Sequence, residues 1–315
     1  MRYAGWLPYA LCAEQCAMMN KRRLQGFTLV EMIVVIVITG IIGGVVAIFL
    51  RSPVQGFVDS ARRAEMTDIA DTALRRISRD LHLALPNSVR RSGSCSGTTT
   101  CYLEFIPTTG GGRYRDASDG TGGGNVLDFS PVISTKFDVL GGAAAMPPVV
   151  AGDQIVVYNM GVGVTGQDAY AGNSSALHNR RAVSSVAGNT ISITSAAALP
   201  LSSCVYDNAT GYVIGGCRFQ VVKTPVTYVC DPVAGTLARW QGYAIAPGQP
   251  TVLPAGGTSS ILATSVSSCS FIYDTNVVAQ RTGLVTTYLT ISQPVAGEAT
   301  ERVTLYAATH VNNVP

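Results

Sequence analysis

From Phe27 to Leu50 the chain is apolar at nearly every position, with a single acid, Glu31, and no basic residue. A helix of these 24 residues spans about 36 Å at ~1.5 Å per residue, enough to cross a hydrocarbon core of ~30 Å. Gly40, Gly43 and Gly44 weaken the helix locally and Pro53 follows, so the segment can unwind or bend without being lost. Beyond Pro53 the pattern becomes one-sided. Val54, Phe57, Val58, Ala61, Met66, Ile69, Ala73, Leu74, Ile77, Leu81 and Leu85 recur three or four apart, as in an amphipathic helix. Asp59 with Arg63, Asp71 with Arg75, and Arg76 with Asp80 are i,i+4 pairs that suit its polar surface. Pro86 closes the pattern, which predicts one helical stretch over roughly Phe27 to Leu85.

From Asn87 onward the period shortens to two, in apolar runs bounded by Gly, Pro and Asn: CYLEFIP, NVLDFS, DQIVVYN and RFQVVKTPVTYVC. RAVSSV and NTISIT flank Ala187, Gly188 and Asn189, which predicts a hairpin with a short turn. TYVCD and GTLARW flank Pro232 to Ala234 and predict a second. SCSFIYD, LVTTYLTIS and ERVTLYAATHV predict the last strands, an antiparallel sheet set against the helix. The fold class expected is α+β, a long N-terminal helix packed on a β-rich antiparallel domain. Gly110–Gly112 and Gly122–Gly124 precede no helix, so they are not phosphate loops and read as flexible ones.

Charge gives the apolar segment a direction. Arg2, Lys21, Arg22 and Arg23 precede it, and such a basic cluster marks the cytoplasmic flank of a membrane segment, with the rest of the chain exported past Arg51. Residues 1–26 hold four of the 22 basic and one of the 19 acidic groups, leaving 18 of each. A neutral remainder offers no electrostatic footprint for nucleic acid. Cys12 and Cys16 lie upstream, and Cys95, Cys101, Cys204, Cys217, Cys230 and Cys269 downstream, with no CxxC pair. Metal-type spacing is absent, so the six downstream cysteines read as disulfides of an oxidising compartment. Fifteen connectivities are open to six cysteines; loop closure favours Cys95 with Cys101 and Cys204 with Cys217, leaving Cys230 for Cys269.

Enzymatic chemistry finds little support. His82, His178 and His310 sit in no nucleophile motif, and GxSxG, HExxH and paired-carboxylate signatures are absent. No catalytic, cofactor or metal residue is assigned. Asp116 and Asp119 flank a Gly-rich loop, an arrangement more often solvated than calcium-loaded. Tyr114, Tyr170, Trp240 and Tyr243 are aromatics that would serve an adhesive surface or, more simply, the core. Asn173 and Asn208 open N-x-S/T sequons that mean little without a glycosylating context.

The stretch RRLQGFTLVEMIVVIVITG resembles the type IV prepilin cleavage and anchoring motif: a short basic leader, Gly26 at the cut, Phe27 as the new N-terminus and Glu31 at the fifth mature position. The resemblance implies that a prepilin peptidase cuts after Gly26 on the cytoplasmic face and that the Phe27 amine is methylated. An ordinary secretory signal is cut beyond its apolar region instead. A carboxylate within an apolar segment costs on the order of 2.5–3.5 kcal/mol and usually has a partner. In the pilin family the corresponding glutamate pairs with the N-terminal amine of a neighbouring subunit, which makes Glu31 the expected assembly residue.

FVDSARRAEMTDIADTALRRISRDLHLALPNSVR, LEFIPTTGGGRYR, TPVTYVCDPVAGTLARWQGY and HVNNVP resemble the MshO-type minor pilin of the mannose-sensitive haemagglutinin (MSHA) pilus system. J-type pseudopilins of type II secretion and W-type minor pilins with a tip-adhesin role are alternatives with the same helix-then-β plan. The implied division is a leader over 1–26, a transmembrane and polymerisation helix over 27–50, an amphipathic helix over 51–86 and an exported β-rich domain over 87–315. Residues 1–18 read as an extension upstream of the true start at Met19. The implied partners are the prepilin peptidase, other major and minor pilins and an inner-membrane assembly platform. The implied location is the bacterial inner membrane, crossed once with the C-terminal domain in the periplasm, and a filament or pseudopilus after assembly.

Overall fold

The computed structural model describes residues 26–117, 123–172, 178–194, 197–274, 282–295 and 299–315. The chain divides between Ser60 and Ala61 into two compact units, each taken here by itself. A single α-helix runs from Leu29 to Leu81. It continues through Gly40, Gly43, Gly44 and Pro53, so the expected unwinding does not interrupt it. Proline removes one i→i−4 hydrogen bond and each helical glycine costs about 1 kcal/mol relative to alanine. Neither ends a helix whose flanking turns are complete.

Among the described residues of the first unit Leu29 to Leu50 is exposed throughout, and so are Val54, Phe57 and Val58. The amphipathic face predicted from Val54 is therefore covered only further along. In the second unit Met66, Ala70, Ala73, Leu74, Ile77 and Leu81 enter the main core beside Leu103, Phe105, Tyr228, Phe271 and Leu289. Their spacing keeps them on one helix face. The helix stops at Leu81, four residues short of Leu85, because the backbone beyond it pairs differently. The Thr108 N–H donates to the Leu83 carbonyl at 2.7 Å, the Leu85 N–H donates to the Ile106 carbonyl at 2.7 Å, and Ala84 bridges Pro107. Leu85 then packs in a separate small cluster with Ile106, Val156, Tyr170 and Val222.

Two sheets share the main core with the helix. One holds, in spatial order, Arg90–Ser92, Cys101–Phe105, Val226–Asp231, Thr236–Gln241 and Thr258–Thr264, all antiparallel. The other holds Val266–Asp274, Thr282–Gln293 and Glu301–Asn312, the three strands expected against the helix. Ser78 and Thr309 hydroxyls meet at 2.7 Å across that contact. A six-stranded antiparallel sheet, ordered Thr108–Arg113, Arg218–Val222, Gln154–Val156, Arg180–Ala187, Thr190–Ile193, Lys136–Asp138, encloses a second core around Tyr114, Phe137, Phe219 and Val221. Val205–Tyr206 and Val213–Gly215 form a small separate hairpin.

Both predicted hairpins form. Ala187 pairs with Thr190 across Gly188, whose φ of 61° a glycine adopts without strain, and Asp231 pairs with Thr236. Three expectations are corrected. NVLDFS is not a strand, because its backbone bonds leave in separate directions: Leu127 N–H to the Arg115 carbonyl, Asp128 N–H to Ser134 Oγ and Ser130 N–H to the Leu199 carbonyl. RFQVVKTPVTYVC is two strands in two different sheets on either side of Pro225. Gly110–Gly112, expected as a flexible loop, lies inside the strand Thr108–Arg113. A Cβ at Gly111 would come within 2.8 Å of the Phe219 carbonyl oxygen and at Gly112 within 3.0 Å of the Phe219 ring, so close packing requires glycine there.

Candidate functional site

The helix begins with a side-chain cap that the prepilin reading of the same residues overlooked. The Glu31 backbone N–H donates to Thr28 Oγ1 at 3.2 Å, and the Met32 N–H donates to the Thr28 carbonyl at 3.1 Å. Thr28 is thus the N-cap and Glu31 the third helical residue, the T-x-x-E spacing of a capping box. That signal was legible in the sequence as FTLVE. The Glu31 carboxylate also sits in the first helical turn, where the unpaired backbone N–H groups favour negative charge. Gly26 and Phe27 precede the cap, and the Phe27 side chain is 76% exposed. Among the described residues a Cβ at Gly26 would meet no atom within 4 Å, so their packing does not demand glycine at that position.

From this cap as far as Leu50 the helix is apolar on nearly every face, and among the described residues that stretch is exposed throughout. A helix of that kind is buried by lipid or by other helices, each large side chain gaining about 1.5–3 kcal/mol when fully removed from water. By length and composition it can cross a membrane, and with the motif around Gly26 it indicates membrane anchoring. The leader residues before Gly26, with Met19, Arg22 and Arg23, lie outside the described residues.

The remaining candidates fall elsewhere. Cys95 is joined to Cys101, Cys204 to Cys217 and Cys230 to Cys269; the last bond links the five-stranded and three-stranded sheets. Asp116 lies close to the Cys204 and Cys217 sulfurs, but disulfide sulfurs present no thiolate for a metal. Asp119, Gly122 and Asn173 are outside the described residues, and Asn208 is exposed. Tyr114, Tyr170 and Tyr243 are buried in the cores, while Trp240 lies against Tyr102 with ring centroids 6.0 Å apart. The aromatics turned outward are others, among them Tyr212 and the stacked pair Tyr288 and Tyr306, 5.8 Å apart.

Of the ion pairs placed on the helix surface, Asp71 with Arg75 at 2.6 Å is one. Arg63 pairs with Glu301, as does Arg62 at 3.5 Å. Asp80 is not on the surface: it is 8% exposed, and its Oδ2 accepts both the Tyr228 hydroxyl and Arg239 Nε at 2.8 Å, with Arg76 Nε 3.2 Å from Oδ1. Burial, reinforced by the Asp80 charge, pushes the Tyr228 hydroxyl pKa up. A second buried carboxylate, Glu104, accepts Arg90 Nε at 2.6 Å and the Tyr243 hydroxyl at 3.0 Å, and burial raises its pKa. His82 and His310 are exposed, but His178, expected in a polar loop, is buried beside Arg181.

The family described as the prokaryotic N-terminal methylation motif matches residues 21–47. No curated protein and no solved structure matches the chain. The matched segment contains Gly26, Phe27, the Thr28 cap, Glu31 and most of the uncovered apolar helix, and it supports a type IV pilin-like protein.

Proposed function

We propose that the chain is a minor pilin or pseudopilin of a type IV pilus assembly system of the MSHA type. A prepilin peptidase cuts after Gly26, the new amine on Phe27 is methylated, and the apolar helix carries the subunit from the inner membrane into a filament that it primes or supports. Its work is assembly rather than catalysis. The observation that carries this reading is the conjunction at the N-terminus: a methylation motif over residues 21–47 runs into a capped helix whose apolar surface is exposed among the described residues. Gly26 fits a residue chosen by a peptidase, since nothing among the described residues crowds it.

Glu31 has two roles to reconcile in this reading, cap and charge. Once the leader is removed, Phe27 bears a free amine two residues before the helix. A neighbouring subunit's Glu31 can offset that cation as both leave water. An unpaired charge in such a low-dielectric interface is costly and a paired one is much less so, which would set the stagger between adjacent helices. Co-expression with a prepilin peptidase, followed by filament shearing, tests the proposal. Cleavage after Gly26 with recovery in the sheared fraction supports it, and a chain that stays uncut or never leaves the membrane fraction contradicts it.

A further inference from the structure

The β-rich domain holds a buried pair of cations that pilus assembly does not use. Arg180 and Arg181, successive residues of the strand Arg180–Ala187, are 6% and 5% exposed. Removing a cation from water costs several kcal/mol unless a counter-charge accompanies it. Among the described residues no carboxylate stands within ion-pair distance of either guanidinium. Asp168 is the nearby acid felt by Arg180, and its oxygens accept the backbone N–H groups of Gly163 and Tyr170, both at 2.8 Å. The acceptors that the two arginines do have are neutral.

The two arginines differ in what they have left to give. Arg181 donates from Nε and Nη2 to the Ala197 carbonyl, from Nη2 to the Ala198 carbonyl, and from Nη1 to the Arg180 carbonyl and to His178 Nδ1. All five of its N–H groups are engaged. Arg180 donates to the Ala169 and Ala171 carbonyls and to Gln154 Oε1, which leaves two of five. Because the Arg181 guanidinium can only donate, His178 Nδ1 must accept, and the ring proton lies on Nε2. That Nε2 is buried without a hydrogen-bond partner, on a residue 8% exposed. An orphaned buried donor costs about 1–3 kcal/mol.

His178, Arg180, Arg181 and Gln154 line one cleft of ≈ 170 Å³ together with Thr194 and Ala197. It combines an unengaged N–H donor, spare guanidinium N–H groups and two arginine charges that, among the described residues, only Asp168, beyond ion-pair distance, offsets. A water molecule would satisfy Nε2 but would leave the excess of positive charge in place.

We propose that this cleft is a binding site for a small oxyanion, a carboxylate or sulfate group, held by His178 Nε2–H and the unused N–H groups of Arg180. Arg181 also borders the cleft, but with all five N–H groups engaged it acts by fixing the His178 tautomer and adding its charge rather than by donating to the ligand. The planar fork of Arg180 favours an oxyanion over a halide. The anion also offsets the two positive charges on which the His178 ring now borders.

Nuclear magnetic resonance of the full-length protein in detergent micelles tests this through its three histidines. Acetate, sulfate and galacturonate are each titrated at constant ionic strength against chloride, and His178→Gln identifies the His178 signal. A saturable shift of the His178 resonances is expected, with its titration midpoint rising by about one pH unit or more as an opposite charge arrives. The exposed His82 and His310 stay still and serve as internal references. Arg180→Lys keeps the charge but not the fork, and should weaken binding by about tenfold, the equivalent of one charge-assisted hydrogen bond. Saturation by galacturonate alone would assign the site to an acidic saccharide, whereas saturation by all three would assign it to the oxyanion group itself. No saturable change at His178 with any of the three, an equal response to chloride, or unaltered affinity in Arg180→Lys overturns the proposal.

Discussion

Thr28 Oγ1 accepts the backbone N–H of Glu31 at 3.2 Å, so the residue expected to guide assembly by its charge also completes the first turn of the helix by its position. The two contributions can be separated. Glutamine satisfies the capping box as well as glutamate does, but it brings no charge. Glu31→Gln should leave the helix start and leader cleavage intact while lowering filament incorporation as far as Glu31→Ala does. Thr28→Ala should cost about 1 kcal/mol of helix-start stability with incorporation largely kept. Quantitative immunoblots of sheared filaments read both. Equal incorporation by wild type and Glu31→Gln would mean that the charge plays no part.

Asp80 holds the helix to the five-stranded sheet. Its Oδ2 takes hydrogen bonds from Tyr228 and Arg239, and Arg239 also donates to Gln241 Oε1. Removing one partner from a buried charged pair costs about 3–5 kcal/mol because the other is left unpaired. Asp80→Ala should lose roughly that much in denaturant unfolding. The exposed pair provides the contrast: Asp71→Ala, facing Arg75, should cost under about 1 kcal/mol.

Stability should also depend on pH through His178. Burial first, then the Arg181 and Arg180 charges, lower its pKa to about 4 from an ordinary 6.5. Between those values the unfolded chain binds a proton that the folded chain refuses. Stability therefore falls as pH falls from about 6.5 to about 4 and levels off below, a loss of up to about 3 kcal/mol at ~1.36 kcal/mol per unit. His178→Gln should flatten that part of the profile, and the difference between the two unfolding curves isolates the effect from the carboxylates. A bound oxyanion would reduce the slope.

The Cys230–Cys269 bond closes a separation of 39 residues, for which loop-closure entropy gives about 4 kcal/mol. It ties Val226–Asp231 to Val266–Asp274, strands of different sheets that share one core. The Cys230→Ser, Cys269→Ser double variant should lose more stability than the Cys204→Ser, Cys217→Ser pair, whose 13-residue separation corresponds to about 3 kcal/mol. Chemical denaturation of each variant beside the wild type measures the order.

What was legible in the sequence was local. The apolar run from Phe27, the one-sided spacing of Met66, Ala73, Leu74, Ile77 and Leu81, and the Gly188 turn each follow from a few consecutive residues. What was hidden needed partners far along the chain. Asp80 reads as a surface member of an i,i+4 pair until Tyr228 and Arg239 arrive from 148 and 159 residues away. Gly110–Gly112 looks like a loop because nothing nearby in sequence shows that Phe219 presses on it. His178 reads as a loop residue because nothing in the local sequence shows that it bridges Asp168 and lies buried against Arg181. At the N-terminus, Glu31 stood out as a charge in an apolar run, and that prominence obscured the simpler cap it forms with Thr28.

The central claim is that residues 1–26 are removed and that the apolar helix is kept. Intact-mass and N-terminal peptide mass spectrometry of the protein from sheared filaments and from membranes tests it most directly. The expected result is a chain that begins at Phe27 with a methylated amine and retains Phe27 to Leu50. A mature N-terminus near Arg51, with the apolar segment discarded, would contradict the account.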